Sequence, residues 1–294
     1  MNKVFSNRWA IALYMAPALV LVLGLIYVPI VFTGWYGLTK WDGIGQMTFI
    51  GLENYKNLLQ DRVFWHSAKN SALLAVFSTL ALGGYLLTAL VLTEKIKGAD
   101  FFRKVYVLPL LLSTVAIAQL WSRVYHPRLG ILNSLLTTLG LVDRPPLWLA
   151  DPNLVLYSIF VPILWQYAGF YILIYFAALK GVPDELIEAA RIDGASSLQI
   201  AFRIKVPLIM NVIKATVVLA VVGSLKYFDL IYVMTGGGPN RASEVMASYM
   251  YGKAFREFNF GYGSAIGFAL LVIALLATFL VRRLTRTDED LEVR

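Results

Sequence analysis

Two short runs concentrate the side chains able to hold a ligand within otherwise apolar sequence. The first is Trp165, Gln166 and Tyr167 with Phe170 and Tyr171; the second is Ser224, Lys226 and Tyr227 with Asp229. Their hydroxyl, amide and ammonium groups can hydrogen-bond a hydroxyl-rich molecule, and their rings can stack on its flat C–H face. The same aromatics serve equally well as packing between helices, and both readings stand at this level. Lys226 and Asp229 are three residues apart, which on a helix puts them on one face. At the centre of a membrane helix each would cost about 2.5–3.5 kcal/mol. The pair therefore either neutralises itself near an interface, with Lys226 snorkelling outward, or lines water and meets a ligand. Other chemistry is poorly served. Cysteine is absent, and the two histidines, His66 and His126, have no catalytic partner nearby in sequence. Thiolate zinc sites, iron–sulfur clusters and disulfides are excluded. No G-x-x-x-x-G-K-[ST] run is present to cradle a nucleotide phosphate, so no ATP hydrolysis, no catalytic residue, no metal and no cofactor are expected of this chain.

The elements that must position these residues follow from composition. The 294 residues are 59% hydrophobic and 15% charged, with mean hydropathy +0.67. Soluble domains carry about 25% charged residues, so the surroundings are lipid. Charge-free stretches of 31, 24, 18, 28 and 24 residues separate Arg8 from Lys40, Lys69 from Glu94, Lys104 from Arg123, Asp151 from Lys180 and Glu257 from Arg282. A spanning helix needs roughly 20 apolar residues. A sixth stretch is interrupted by Lys214, Lys226 and Asp229. The expected fold is therefore an all-α polytopic membrane protein of six transmembrane helices, about 10–32, 71–92, 105–122, 154–179, 208–232 and 263–281, in a single domain. The first stretch is too long for a signal-peptide core of about 7–15 residues and no A-x-A site follows it, so it reads as a retained helix.

With both termini cytoplasmic, basic residues are about twice as dense in the inner segments as in the outer ones, Lys3, Arg282, Arg283 and Arg286 among them. That bias explains the net charge of +8 without nucleic acid. Gly83 and Gly84 could allow close helix approach, and Gly236, Gly237, Gly238 and Pro239 read as a helix stop in the outer loop rather than a moving gate.

The inner loop 183–207 departs from this apolar pattern. Pro183 suits a first helical position, with Asp184 and Glu185 in the first turn where the helix dipole favours negative charge. Leu186, Ala189 and Ala190 then form a small apolar face with Glu188 and Arg191 beside it. Gly194 ends the helix. Ser196 or Ser197 caps a second one, whose Leu198, Ala201 and Phe202 form another apolar face before Pro207 stops it. The alternatives are a helix lying on the membrane surface or a knob inserted into a groove on another protein. The acidic Asp184, Glu185, Glu188 and Asp193 would be repelled by anionic lipid, which favours protein.

The spacing E-A-A-x-x-D-G-A-x6-F-x-I-x-V-P, from Glu188 to Pro207, resembles the EAA loop of the permease subunits of bacterial ABC importers. Val206 stands where leucine is more usual. The run from Tyr227 through Gly236, Gly237, Gly238 and Pro239 to Ser243 is similar to sugar-type permeases, such as those for maltose, multiple sugars or glycerol phosphate. The resemblance implies that loop 183–207 is a coupling helix seated in a cleft of a separate ATPase. Glu188, Ala189, Ala190, Arg191, Asp193, Gly194 and Ala195 would form that contact. It also implies that Trp165, Gln166, Tyr167, Phe170, Ser224, Lys226 and Tyr227 line the substrate pathway. The implied partners are a second permease forming a heterodimer, two ATPase subunits carrying ATP and Mg, and an extracytoplasmic solute-binding protein, all at the bacterial cytoplasmic membrane. The implied function is ATP-driven import of a di- or oligosaccharide or related polyol by alternating access. An ion-coupled secondary carrier would show more membrane carboxylates than Asp229 alone, and a non-transporting scaffold would not need the polar residues of the fourth and fifth stretches.

Overall fold

The computed structural model describes residues 8–94 and 98–284. Lys3 and Arg286, used above to orient the chain, lie outside the described residues. Helix α1 (Arg8–Val22) passes through a π turn (Leu23–Tyr27) into α2 (Val28–Tyr36). A two-stranded ribbon, β1 (Thr39–Lys40) and β2 (Thr48–Phe49), and α3 (Glu53–Gln60) lead to α4 (Arg62–Thr93). Next come α5 (Ala99–Leu111), α6 (Thr114–Val124), α7 (Ile131–Thr138), α8 (Val155–Lys180), α9 (Asp184–Ile192) and α10 (Ser197–Ile200). A second π turn (Ala201–Lys205) precedes α11 (Val206–Leu208), α12 (Met210–Leu225) and α13 (Asp229–Met234). The chain ends in α14 (Met246–Tyr251), a third π turn (Gly252–Arg256) and α15 (Phe260–Leu284). Each apolar stretch of the sequence is thus helical, and the protein is a polytopic membrane protein.

Among the described residues, five helices are long and apolar enough to span a membrane without a sharp bend: Ile11–Tyr36, Arg62–Thr93, Val155–Lys180, Met210–Met234 and Phe260–Leu284. The stretch expected to span over 105–122 is a sharply bent pair of helices. Lys104–Leu111 and Thr114–Val124 meet at 106°. Leu112 is extended (ψ 145°) and Ser113 restarts the helix by accepting the Ala116 N–H at 3.2 Å. Pro109, in the last turn of α5, removes a donor from the hydrogen-bond ladder just before the break.

Prolines shape the other helices in the same way. Two π turns end two residues short of a proline, Pro29 and Pro207, where the helix loses a backbone donor and widens by one residue. In α8, Pro162 cannot bond the carbonyl of Ser158, and the Tyr125 hydroxyl donates to that carbonyl instead, at 2.9 Å.

By its contacts the chain forms two compact units where the sequence suggested one. The first holds the residues up to Phe64 with Tyr249–Val272. There the Asn54 amide donates to the carbonyls of Gly37 and Thr39 at 3.0 and 2.9 Å. Asp61 caps α4 through the Val63 N–H (2.8 Å) and accepts the hydroxyls of Tyr249 (2.5 Å) and Tyr262 (2.7 Å) on its other oxygen. Burial raises the Asp61 pKa, but these tyrosine and backbone hydrogen bonds outweigh it and hold the carboxyl below its usual 3.8. A depressed carboxylate adds stability above its unfolded pKa and loses it as pH falls through the folded value. Thermal unfolding of the purified protein should therefore show an acid-induced loss below about pH 4 that Asp61→Asn flattens; parallel curves for the two proteins would refute this role for Asp61.

The second unit holds Trp65–Ser248 and the residues from Ile273 on. Helix α5 lies along α8, and α12 and α13 also pack on α8. One apolar cluster gathers Leu82, Leu90, Tyr175, Leu179 and Ile209 toward the Glu94 end of α4. The other gathers Leu74, Ile117, Ile159, Leu230 and Val245 toward its opposite end. The contact that allows α5 so close is Gly169, where an added Cβ would lie 2.0 Å from the Tyr106 carbonyl oxygen. Gly83 and Gly84, by contrast, have nothing within 4 Å of such a Cβ and support no close helix approach within the chain.

Candidate functional site

The second unit encloses a cavity of about 270 Å³ walled by α4, α8 and α12. Of the seven expected pathway residues, Tyr167, Phe170, Ser224, Lys226 and Tyr227 line it. Tyr167 and Tyr227 meet edge to face with ring centres 6.3 Å apart. Tyr85 and Tyr171 stack nearly parallel, 5.9 Å apart, and Phe170 sits edge-on to Tyr171 at 5.2 Å. The Ser224 hydroxyl donates to Ser78 at 3.0 Å across the α4–α12 contact. The lining is thus largely apolar, aromatic rings alternating with aliphatic side chains such as Ile163 and Leu219, with hydroxyls at its tyrosines and serines and Lys226 as its one charged side chain.

Trp165 and Gln166 do not reach this cavity. Trp165 packs edge-on against Trp121, 5.9 Å away, and is partly exposed outside the cavity. Gln166 is buried behind the wall, 3.5 Å from the Tyr227 hydroxyl and 3.4 Å from Thr114, which makes it a support for Tyr227. The shared helical face of Lys226 and Asp229 is also corrected. Helix α12 ends at Leu225, residues 226–228 are non-helical, and α13 restarts at Asp229, so the i,i+3 rule does not apply across the gap. Among the described residues no ion pair joins the two. Sequence reasoning missed Ser78 and Tyr85. Their spacing of seven, two helical turns on one face of a spanning helix, was the available signal.

Beyond α13, a tightly bonded loop closes this end of the unit. Gly236 and Gly237 take φ of 60° and 90°, and Ser243, fully buried, donates to the Gly238 carbonyl at 2.6 Å and pairs with Thr235 at 2.8 Å. The Asn70 amide on α4 donates to the carbonyls of Ala242 and Glu244 at 3.0 and 2.8 Å. The glycines thus end a helix and enter an anchored loop. His66 contacts Asn70 at 3.3 Å, and His126 accepts two backbone N–H groups of its own turn. Among the described residues no group of three or more His, Asp or Glu is placed to hold a metal ion.

At the opposite end of α8, the Glu188–Pro207 segment forms two short helices about a glycine turn. Pro183 is the N-cap of α9 rather than its first residue. Gly194, at φ 80°, closes it with paired bonds, Gly194 N–H to Arg191 and Ala195 N–H to Ala190. This is the Schellman arrangement that satisfies the last carbonyls. Of the two serines it is Ser196 that caps α10, reciprocated by the Gln199 side chain at 2.8 Å. Pro207 does not end the second helix: it lies in α11, and the break comes at Ile209. The expected apolar face is redistributed. Ala190 points inward, with Ile187 against the apolar cluster, while Leu186, Ala189, Ile192, Leu198 and Phe202 are exposed. Glu188, Arg191, Asp193 and Gly194 are exposed and Ala195 half-buried, so six of the seven expected contact residues remain accessible.

Residues 3–287 match the family described as "Binding-protein-dependent transport system inner membrane component". The chain belongs to this family. It is the permease subunit of an ABC importer. The permease is 36% identical to the "Probable ABC transporter permease protein YurN" of Bacillus subtilis, over 98% of this chain and 99% of that one. It is 32% identical to the "Trehalose/maltose transport system permease protein MalF" of Thermococcus litoralis, over 95% and 94% of the two chains. A solved relative is a bacterial ABC transporter involved in import of the acidic polysaccharide alginate. It superposes with a TM-score of 0.82 at 25% identity, covering 97% of each chain.

Proposed function

We propose that this permease carries a saccharide or related polyol into the cytoplasm by alternating access. The observation that carries this is the cavity, where Tyr85, Phe170, Tyr171, Tyr167 and Tyr227 offer rings and hydroxyls and Lys226 a single cation. Stacking on the apolar face of a sugar ring and hydrogen bonding around its edge need that combination. The named transport substrates of relatives agree: trehalose and maltose for MalF, diacetylchitobiose for NgcF of Streptomyces coelicolor, 32% identical over 86% of this chain. The cavity, about 270 Å³, falls just short of the ~300–1,000 Å³ of pockets that enclose a drug-sized ligand. A longer saccharide therefore needs further wall, which a second permease in a heterodimer supplies.

Loop 183–207 is the handle for the motor. Its exposed Leu186, Ala189 and Ile192, beside Glu188 and Arg191, suit a groove on a cytoplasmic ATPase pair that binds ATP and Mg. That places both termini in the cytoplasm, in accord with the basic residues at Arg282 and Arg283. An extracytoplasmic binding protein delivers the cargo from the other side.

Uptake of labelled saccharide by proteoliposomes holding the whole transporter tests the reading. Lys226→Met should raise the apparent KM about tenfold, since hydrogen bonds to charged groups contribute roughly 1.5–3 kcal/mol. An unchanged KM removes Lys226 from the pathway. Proton-driven uptake without the ATPases would overturn the reading as a whole.

A further inference from the structure

We propose that the Lys205–Glu94 ion pair is a strut that carries movement of the 183–207 loop to the cavity; this rests on that loop being the element gripped by the ATPase. Between α10 and α12 the backbone is jointed twice, at the π turn Ala201–Lys205 and at Ile209, where α11 ends and α12 begins. π turns and helix breaks are points of low stiffness, so a push on α9 and α10 passes poorly along the chain itself. Ile187, Ala201 and Val206 pack on the cluster around Leu90, Leu92 and Leu179, but such contacts are non-directional and can slide.

A buried polar link crosses the joint. Lys205, the last residue of the π turn, is 7% exposed and its ammonium donates to Glu94 Oε1 at 2.9 Å. Glu94 directly follows α4, the helix whose Ser78 and Tyr85 face the cavity. A buried ammonium held by one carboxylate cannot let go without leaving a charge unpaired. Lys205 and Glu94 should therefore stay together as the loop is displaced, and α4 moves with it. Removing the carboxylate would leave the buried ammonium unpaired and cost some stability as well, so transmission is read from the saccharide moved per ATP by assembled transporter, a ratio that a loss of folded protein does not change. Both are positioning residues, since neither lines the cavity.

The test measures uptake and ATP hydrolysis in the same proteoliposomes, with the intact complex carrying Glu94→Gln, Glu94→Lys, or Glu94→Lys with Lys205→Glu. Hydrolysis and co-purification of the ATPase should hold in Glu94→Gln while saccharide moved per ATP falls by about fivefold, the lower range of coupling between sites. Glu94→Lys should fall further and the charge-swapped pair should recover most of the ratio. A wild-type ratio in Glu94→Gln, or a parallel loss of hydrolysis and uptake, overturns the strut. Should Glu94→Lys not accumulate, Glu94→Gln decides the matter. Failure of the unmodified permease to retain any ATPase would overturn the docking reading, and the strut with it.

Discussion

Valine in place of Gly169 should prevent the permease from accumulating in the membrane. Its Cβ would stand 2.0 Å from the Tyr106 carbonyl oxygen and 2.9 Å from the Val107 Cα. Those are backbone atoms, so no side-chain rotation can clear the space. Ordinary overpacking costs ~1–3 kcal/mol, and a clash with backbone on both helices exceeds that unless α5 moves off α8. Moving it would open the longest helix contact in the second unit and shift Tyr167, Phe170 and Tyr171, which surround Gly169 in sequence and line the cavity. The control is Gly83→Ala on α4, where a Cβ meets nothing and helix propensity improves by about 1 kcal/mol. Membrane yield and monodispersity in detergent compare the two. Equal behaviour of Gly169→Val and Gly83→Ala would refute the close approach of α5 and α8.

The second large effect is functional and leaves the spans alone. Gly194→Val forces a β-branched residue to φ 80°, at a cost of roughly 1–2 kcal/mol, and loosens the turn that sets α9 against α10. Its Cβ points into open space, so the strain is confined to the loop. Glu188→Lys reverses a charge on an exposed position of α9 and changes no packing. Like charges facing each other across an interface cost several kcal/mol, which is a loss of at least a hundredfold in docking affinity. Both variants should insert at wild-type level yet show no ATP-dependent uptake, and the ATPase should no longer co-purify with Glu188→Lys. Full uptake by either one would mean that the loop is not the point of attachment.

Much of this architecture was legible because lipid imposes a simple rule. A charge inside the bilayer is costly and a helix needs a set length to cross, so distances between charged residues located five apolar segments without knowledge of packing, and only the one holding Lys214, Lys226 and Asp229 needed its apolar composition as well. Local hydrogen-bond chemistry was equally readable. Gly194 as the left-handed helix stop and a serine cap at Ser196 or Ser197 follow from short-range geometry, and the structure selects Ser196. Readings that required the phase of a helix fared less well. Ala190 turned inward and Leu186 outward, because the period places residues on a common face but does not say which neighbour that face meets.

The same reason explains the cavity. Helix α8 is aromatic around much of its circumference, so no stripe in its sequence distinguishes Tyr167 and Phe170, which reach the cavity, from Trp165, which packs on Trp121, or Gln166, which braces Tyr227. The breaks at Leu112 and after Leu225 also escaped notice, since apolar composition continues through them while the hydrogen-bond ladder does not. Composition and charge spacing thus sufficed for the apolar helical stretches and for the existence of an exposed acidic and apolar loop, because desolvation acts on each residue separately. Which side chains share a cavity, and which lysine holds which carboxylate, depended on the rotation and contact of helices far apart in the chain, a pairwise property that no single segment encodes.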